Sequence, residues 1–343
     1  MAKISIATVR ALVNFLSRQS NSTSIQLKGV SRSHLLAEIN LSELELNQSL
    51  KVIDSTKYEA LFTFAERELQ DKSIGFEFGK AISIDRWGIL SYIAFTSATL
   101  KVALAKQRKY QALAGNLGTP FSELIGDNLL LKWIPAHHCS HHIVEEIITG
   151  WATLAMNLSQ NNIKANAIYF QHNLKENDNS KVYENYFGCP VYFEHDFNGI
   201  QIEQKSLEIP LITVDNTINH ALCNQADELL CNIVKQSPIE TVNQFIISQL
   251  PLGLPEIDDA AKQLGLSIRT LQRKLSDNQL TFSSMVDNIR IELACSYLSN
   301  TNTKVIYITQ MLGFSEQSAF QRAFKRWTGQ TPKQYRDSQR QIQ

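Results

Sequence analysis

The chain has no surplus of either charge: 33 Lys and Arg stand against 33 Asp and Glu, so net charge alone announces no polyanionic or membrane partner. It has no C-x-x-C pair, and its five cysteines (139, 189, 223, 231 and 295) are odd in number. That excludes a disulfide framework and the common zinc-ligand spacings, and the cysteines read as small buried apolar residues. No apolar run approaches the ~20 residues that cross a bilayer; the longest candidate, WGILSYIAFTSATL, is interrupted by Ser and Thr and stops at Lys101. The opening MAKISIATVRALVNFLSRQ holds Arg10 inside its apolar pattern and no small-residue cleavage site. It predicts an amphipathic helix rather than a leader, and with it a cytoplasmic protein. There is no nucleophile elbow, phosphate-cradling glycine loop or catalytic carboxylate pair, so neither an enzyme nor a bound cofactor is expected.

What is present fits a two-domain globular chain: 343 residues, 43% of them hydrophobic. Residues 5–18, 55–70 and 87–114 carry apolar residues at helical spacing. The period then changes. LLLKWIP (129–135) reads as a strand, 142–158 as a helix, 165–173 as a strand and 180–188 as a short helix stopped by Gly188. PVYFEH and GIQIEQ, joined by DFNG, read as a hairpin. The expectation is an α+β N-terminal domain over 1–210, with a helical start followed by strand–helix–strand–helix–hairpin in a mostly antiparallel sheet. A linker helix over 211–237 and an all-α domain over 238–343 follow. The last segment, from Pro238, holds 12 basic and 9 acidic residues, leaving 21 and 24 in the rest. A mildly basic third on an acidic body hints at a polyanion partner, although solvated helix faces account for it equally well.

Two features of the N-terminal domain admit two readings each. In HHCSHH (137–142), a helix would set His138 with His142 and His137 with His141 at the i, i+4 spacing of metal sites. Pro135 upstream and Ser140 as an N-cap would instead start the helix at His141 and dissolve both pairs. Tyr92, Phe95, Trp133, Trp151, Tyr169 and Tyr183 suit either a ligand pocket or plain core.

The most informative pattern is a duplication. LGLSIRTLQRKLSDNQLTF (264–282) and LGFSEQSAFQRAFKRWTGQTP (312–332) share a Leu-Gly corner 48 residues apart and a Gln-Arg pair 49 apart. Each copy has the form of a helix-turn-helix. A helix stops at a glycine able to take positive φ, an apolar residue follows (Leu266 or Phe314), and Ser267 or Ser315 stands ready to cap the next helix. The units fall at about 257–276 and 305–327, joined by one long helix, 283–300, of roughly 27 Å. In the second helix of each unit one face is apolar. The other carries Arg269, Thr270, Gln272 and Arg273, or Gln317, Ser318, Gln321, Arg322 and Lys325. Arg and Gln can each grip a purine edge with two hydrogen bonds.

The paired motifs, GFSEQSAFQRAFKRWTGQTPKQYR above all, resemble the DNA-binding domain of the AraC/XylS transcription regulators. WGILSYIAFTSATLKVAL (87–104) and YFGCPVYFEHDFNGIQIEQKSLEIPL (186–211) resemble, more loosely, the regulatory domain of the branch that includes ornithine- and arginine-responsive regulators. The resemblance implies a transcription regulator with promoter DNA, RNA polymerase and a small-molecule effector as partners, and a homodimer formed through the N-terminal domain. It places base-reading residues at Arg269, Gln272, Arg273, Gln317, Ser318 and Arg322, with Gln321 on the same face. Lys304, Lys325, Thr331 and Lys333 become candidates for phosphate contacts, which position without specifying. It does not name an effector-binding residue.

Overall fold

The computed structural model describes residues 2–17, 30–48, 51–135, 139–174, 180–236, 238–300 and 303–340. The chain divides into two compact units, the first running to Ala226 and the second from Asp227.

The first unit opens with strand β1 (Lys3–Ser5), helices α1 (Ile6–Ser17), α2 (Arg32–Glu38) and α3 (Glu43–Leu46), and strand β2 (Val52–Asp54). Helices α4 (Ser55–Leu69), α5 (Ile74–Lys80), α6 (Ile89–Thr96) and α7 (Leu100–Tyr110) come next. The main sheet and its partners follow: β3 (Gly118–Ile125), β4 (Asn128–Pro135), α8 (His141–Leu158), β5 (Ala165–Tyr169), α9 (Ser180–Phe187), β6 (Val191–Tyr192) and β7 (Asn198–Glu203). Spacing explains the helices. Ile6, Val9, Leu12, Val13 and Leu16 put one stripe of α1 in the core, and Tyr58, Leu61, Phe62 and Ala65 do the same for α4. The Asp54 side chain accepts from the Thr56 N–H at 2.9 Å and starts α4. Helices α5 and α8 pack at a distance only glycine allows. A Cβ on Gly75 would lie 2.3 Å from the His142 carbonyl oxygen, and one on Gly79 2.5 Å from Thr149 Cβ.

A buried ion pair clamps the same contact. Arg86 donates from Nε and Nη2 to Glu146 Oε1 at 3.0 and 2.7 Å and from Nη1 to the Phe78 carbonyl at 2.6 Å. Both side chains are almost wholly buried, and the guanidinium stacks 3.7 Å from the Phe78 ring. Burial pushes the Glu146 carboxyl up from its ordinary value while Arg86 pulls it back down.

The sheet order is β3-β4-β7-β5-β6, antiparallel throughout except for β5 and β6. This corrects the expected hairpin: β6 and β7 are not neighbours. Ile168 of β5 sits between Val191 of β6 and Ile200 of β7. The intervening residues extend the pairing with β5, since Phe170 N–H donates to the Tyr192 carbonyl and His195 N–H to that of Phe170. A turn-like DFNG is overridden because β5 offers both of its edges. The helical start expected of this domain is also corrected: β1 and β2 interrupt it, and β3 adds a strand ahead of the first one expected. Pro120 is tolerated in β3 because that strand is an edge. The single helix expected over 87–114 is two, α6 and α7, and Thr99 caps the second. The cysteines are free thiols but not fully buried: Cys231 is exposed and the others are half-buried.

Helix α10 (Asn216–Gln236) leads from the first unit into the second. The second unit is helical: α11 (Pro238–Gln249), α12 (Ile257–Gln263), α13 (Ile268–Ser276), α14 (Phe282–Asn300), α15 (Val305–Met311), α16 (Gln317–Thr328) and α17 (Pro332–Arg340). Its core includes Val242, Ile246, Leu250, Leu271, Leu275, Met285 and Ile289. No helix among the described residues is long and apolar enough to cross a membrane.

Candidate nucleic-acid interface

Two corners of matching construction position helices α13 and α16. Gly265 and Gly313 take φ of +63° and +68°, where a Cβ would clash with the following carbonyl. After each glycine the chain turns back on the preceding helix: the Leu266 N–H donates to the Ala261 carbonyl at 2.9 Å, and the Phe314 N–H to that of Thr309 at 3.1 Å. Both satisfy a helix-end carbonyl as a Schellman turn does. Leu264 and Leu312 just before the glycines are buried.

The corners then diverge. Ser267 is the N-cap of α13 and its hydroxyl accepts from the Thr270 N–H at 3.1 Å. In the second copy the N-cap is Glu316, not Ser315 as the alignment of the two motifs suggests, and no side chain caps the helix. The second turn is one residue longer. That is why the Leu-Gly pairs lie 48 apart and the Gln-Arg pairs 49. The Glu316 carboxylate lies at the positive end of α16 and accepts from the Ser318 hydroxyl at 3.1 Å.

Each helix buries one stripe. In α13 these are Leu271 and Leu275; in α16 they are Phe320, Ala323 and Phe324, with Phe314 and Trp327 half-buried beside them. The Phe314, Phe320 and Phe324 rings pack at 5.7 Å steps, and Tyr335 of α17 meets Phe324 at 5.4 Å. The opposite faces are open. Arg269, Gln272, Arg273, Ser318, Gln321 and Arg322 are exposed, and Gln317 is half-buried. Lys304, Lys325 and Lys333 are exposed as well, at the N-cap of α15, in the last turn of α16 and in the first turn of α17. Thr331 has a structural task. Its hydroxyl accepts from the Gln334 N–H at 3.3 Å while Gln334 Oε1 accepts from the Thr331 N–H at 3.0 Å, a capping box ahead of Pro332.

Two arginines that sequence reasoning passed over hold this frame. Arg290 of α14 is buried and donates from Nε to the Leu312 carbonyl at 2.8 Å and from Nη2 to the Gly313 carbonyl at 3.0 Å. Its guanidinium lies 4.3 Å from the Phe314 ring. Burial lowers its pKa, with Asp287 acting the other way. The signal was available: Arg290 is in helical register with Val286 and Ala294, both buried. Arg336 of α17 donates to the Thr303 carbonyl at 2.5 Å. Gly313 itself packs so closely that a Cβ would lie 2.7 Å from the Leu250 carbonyl oxygen.

The histidine cluster falls elsewhere, in the first unit. His137 and His138 lie outside the described residues, and α8 begins at His141 with Ser140 at its N-cap. His142 is buried. Its Nδ1 accepts from the Gly75 N–H at 3.4 Å, so Nε2 carries the proton toward Glu66 Oε2 at 3.2 Å. His141 meets the Lys72 carbonyl at 3.2 Å, and Glu145 accepts from Tyr183 and His172, each at 3.0 Å. Among the described residues no three His, Cys, Asp or Glu side chains converge as a metal site.

Comparison with known proteins gives two matches along the chain. Residues 29–211 match the arabinose-binding domain of AraC transcription regulators, N-terminal, and residues 260–338 match a helix-turn-helix domain. The chain is similar to the ornithine utilization regulator of Pseudomonas aeruginosa, at 24% identity over 90% of this chain and 92% of the relative. It is also similar to the HTH-type transcriptional regulator VqsM of the same organism, at 25% identity over 82% and 89% of the two chains. Among solved structures, the transcriptional regulator CdpR from Pseudomonas aeruginosa aligns over 89% of this chain and 96% of its own, with 18% identity and a TM-score of 0.43.

Proposed function

The chain belongs to the AraC family of transcription regulators, and on that premise we propose that it reads promoter DNA through two helix-turn-helix units under the control of a small molecule bound to its N-terminal unit. It is a DNA-binding regulator and not an enzyme. The observation that carries the finer reading is the duplication itself: α13 and α16 each bury an apolar stripe and leave a polar face in solvent. Arg269, Gln272 and Arg273 on one, and Gln317, Ser318, Gln321 and Arg322 on the other, are the residues assigned to base edges. Lys304, Lys325, Thr331 and Lys333 are assigned to phosphates. Helix α14, at 19 residues, is roughly 28 Å long, which with the helix widths approaches the ~34 Å of one DNA turn. One chain would then read two successive major grooves.

Control follows from differential binding: an effector that prefers one arrangement of the protein shifts the population toward it. A homodimer through the N-terminal unit, and contact with RNA polymerase on the promoter, complete the proposal. The test is Arg322→Ala, expected to cost about 1–3 kcal/mol on the cognate site and to relax specificity at one base pair. Lys333→Ala should weaken all sequences alike and flatten the salt dependence. Unchanged discrimination between cognate and scrambled DNA in Arg322→Ala would refute the assignment of bases to α16.

A further inference from the structure

We propose that the first unit binds an apolar ligand ending in a carboxylate, its body enclosed between α7, α8 and the sheet and its charge held by Arg108. The inference rests on the effector-sensing reading above and deepens it. A cavity of about 200 Å³ lies within this unit. Three of the four tryptophans of the chain, Trp87, Trp133 and Trp151, line it. Leu104 of α7, Leu131 of β4 and Ile200 of β7 add aliphatic walls. An apolar cavity of about 150 Å³ accepts benzene, so this one suits a body of roughly eight to ten heavy atoms.

Two charged residues line the cavity among those described, and their situations differ. Glu146 is already committed, since its Oε1 accepts two hydrogen bonds from the buried Arg86. It therefore has no unbalanced charge for a ligand ammonium, and a diamine or a free basic amino acid finds no partner here. Arg108 of α7 is exposed, and its guanidinium reaches the Ser122 hydroxyl at 3.5 Å. Gln107 and Gln111, hydrogen-bonded to each other, flank it and also line the cavity. A planar guanidinium beside an apolar enclosure is suited to grip a carboxylate with two parallel hydrogen bonds.

The three tryptophans supply the readout. Titrating the full chain with octanoate should give a saturable change in intrinsic fluorescence and a raised melting temperature. Octan-1-ol should bind about tenfold more weakly, having lost the charge-assisted contact, and ornithine should have no effect. Arg108→Gln should bring octanoate down to the affinity of octan-1-ol and leave octan-1-ol unchanged. Ala155→Phe, which fills the cavity from α8, should abolish both responses. Absence of a saturable response to octanoate, a response to ornithine in its place, or full octanoate affinity in Arg108→Gln would overturn the proposal. The wider reading fails separately: octanoate binding as described without altering affinity for a fragment selected from random-sequence DNA supports this ligand class and refutes its role as effector. An ornithine-dependent change in DNA affinity, with octanoate inert, does the reverse.

Discussion

Replacing Arg290 with Met tests how α16 is held in place. Methionine keeps an unbranched apolar stem in the packing and removes only the guanidinium. Two charge-assisted hydrogen bonds disappear, to the carbonyls of Leu312 and Gly313, each contributing about 1.5–3 kcal/mol. The stacking on Phe314 adds about 0.5–1 kcal/mol. Against this, the variant no longer buries a charge, which recovers part of the sum, so the net loss is about 2–4 kcal/mol. Urea unfolding of the full chain should register it. Amide exchange should accelerate at residues 312–316 and through α16 while α13 remains protected. On the proposed reading, base-pair discrimination should fall on the half-site assigned to α16 and survive on the one assigned to α13. A stability change under about 0.5 kcal/mol with unaltered exchange at the corner, or an equal loss on both half-sites, would refute the reasoning.

Other consequences are equally direct. Ser267→Ala should destabilise by about 1 kcal/mol through loss of the cap on α13, whereas Ser315→Ala should be near neutral because Glu316 occupies the equivalent place; paired thermal melts would tell them apart. Arg86→Met should cost about 3–5 kcal/mol by stranding the Glu146 charge, and adding Glu146→Leu should recover most of it in the same melts. His142 is held below its ordinary pKa, first by burial and then by His141, with Glu66 and Glu145 opposing. Its neutral form is favoured in the folded chain, so its contribution is present above about pH 6.5 and lost as pH falls through the lower folded value. His142→Gln should flatten the denaturation midpoint between pH 7 and pH 5.

The corners were legible in the sequence because the turn itself is made by local features. A glycine at positive φ, a bond five residues back and a buried leucine before the turn all fall within one short segment. The open faces of α13 and α16 followed from the helical period in the same way. Within the candidate site, the role of Thr331 as a cap and the Ser318–Glu316 bond were less visible. They turn on which backbone N–H is left over at a helix start, and a shift of one residue decides that.

By itself, then, the sequence determined the longer helices, the strands from β4 onward, the repeated corner and the polar faces of α13 and α16, since each depends on periodicity or capping over a few residues. Tertiary structure alone decided that β5 lies between β6 and β7, that Arg290 of one helix reaches the corner before another, and that three distant tryptophans surround one cavity. Those are contacts between segments far apart in the chain. Their free energy is gained only once the backbone has closed the loops between them, and no local pattern of residues records that step.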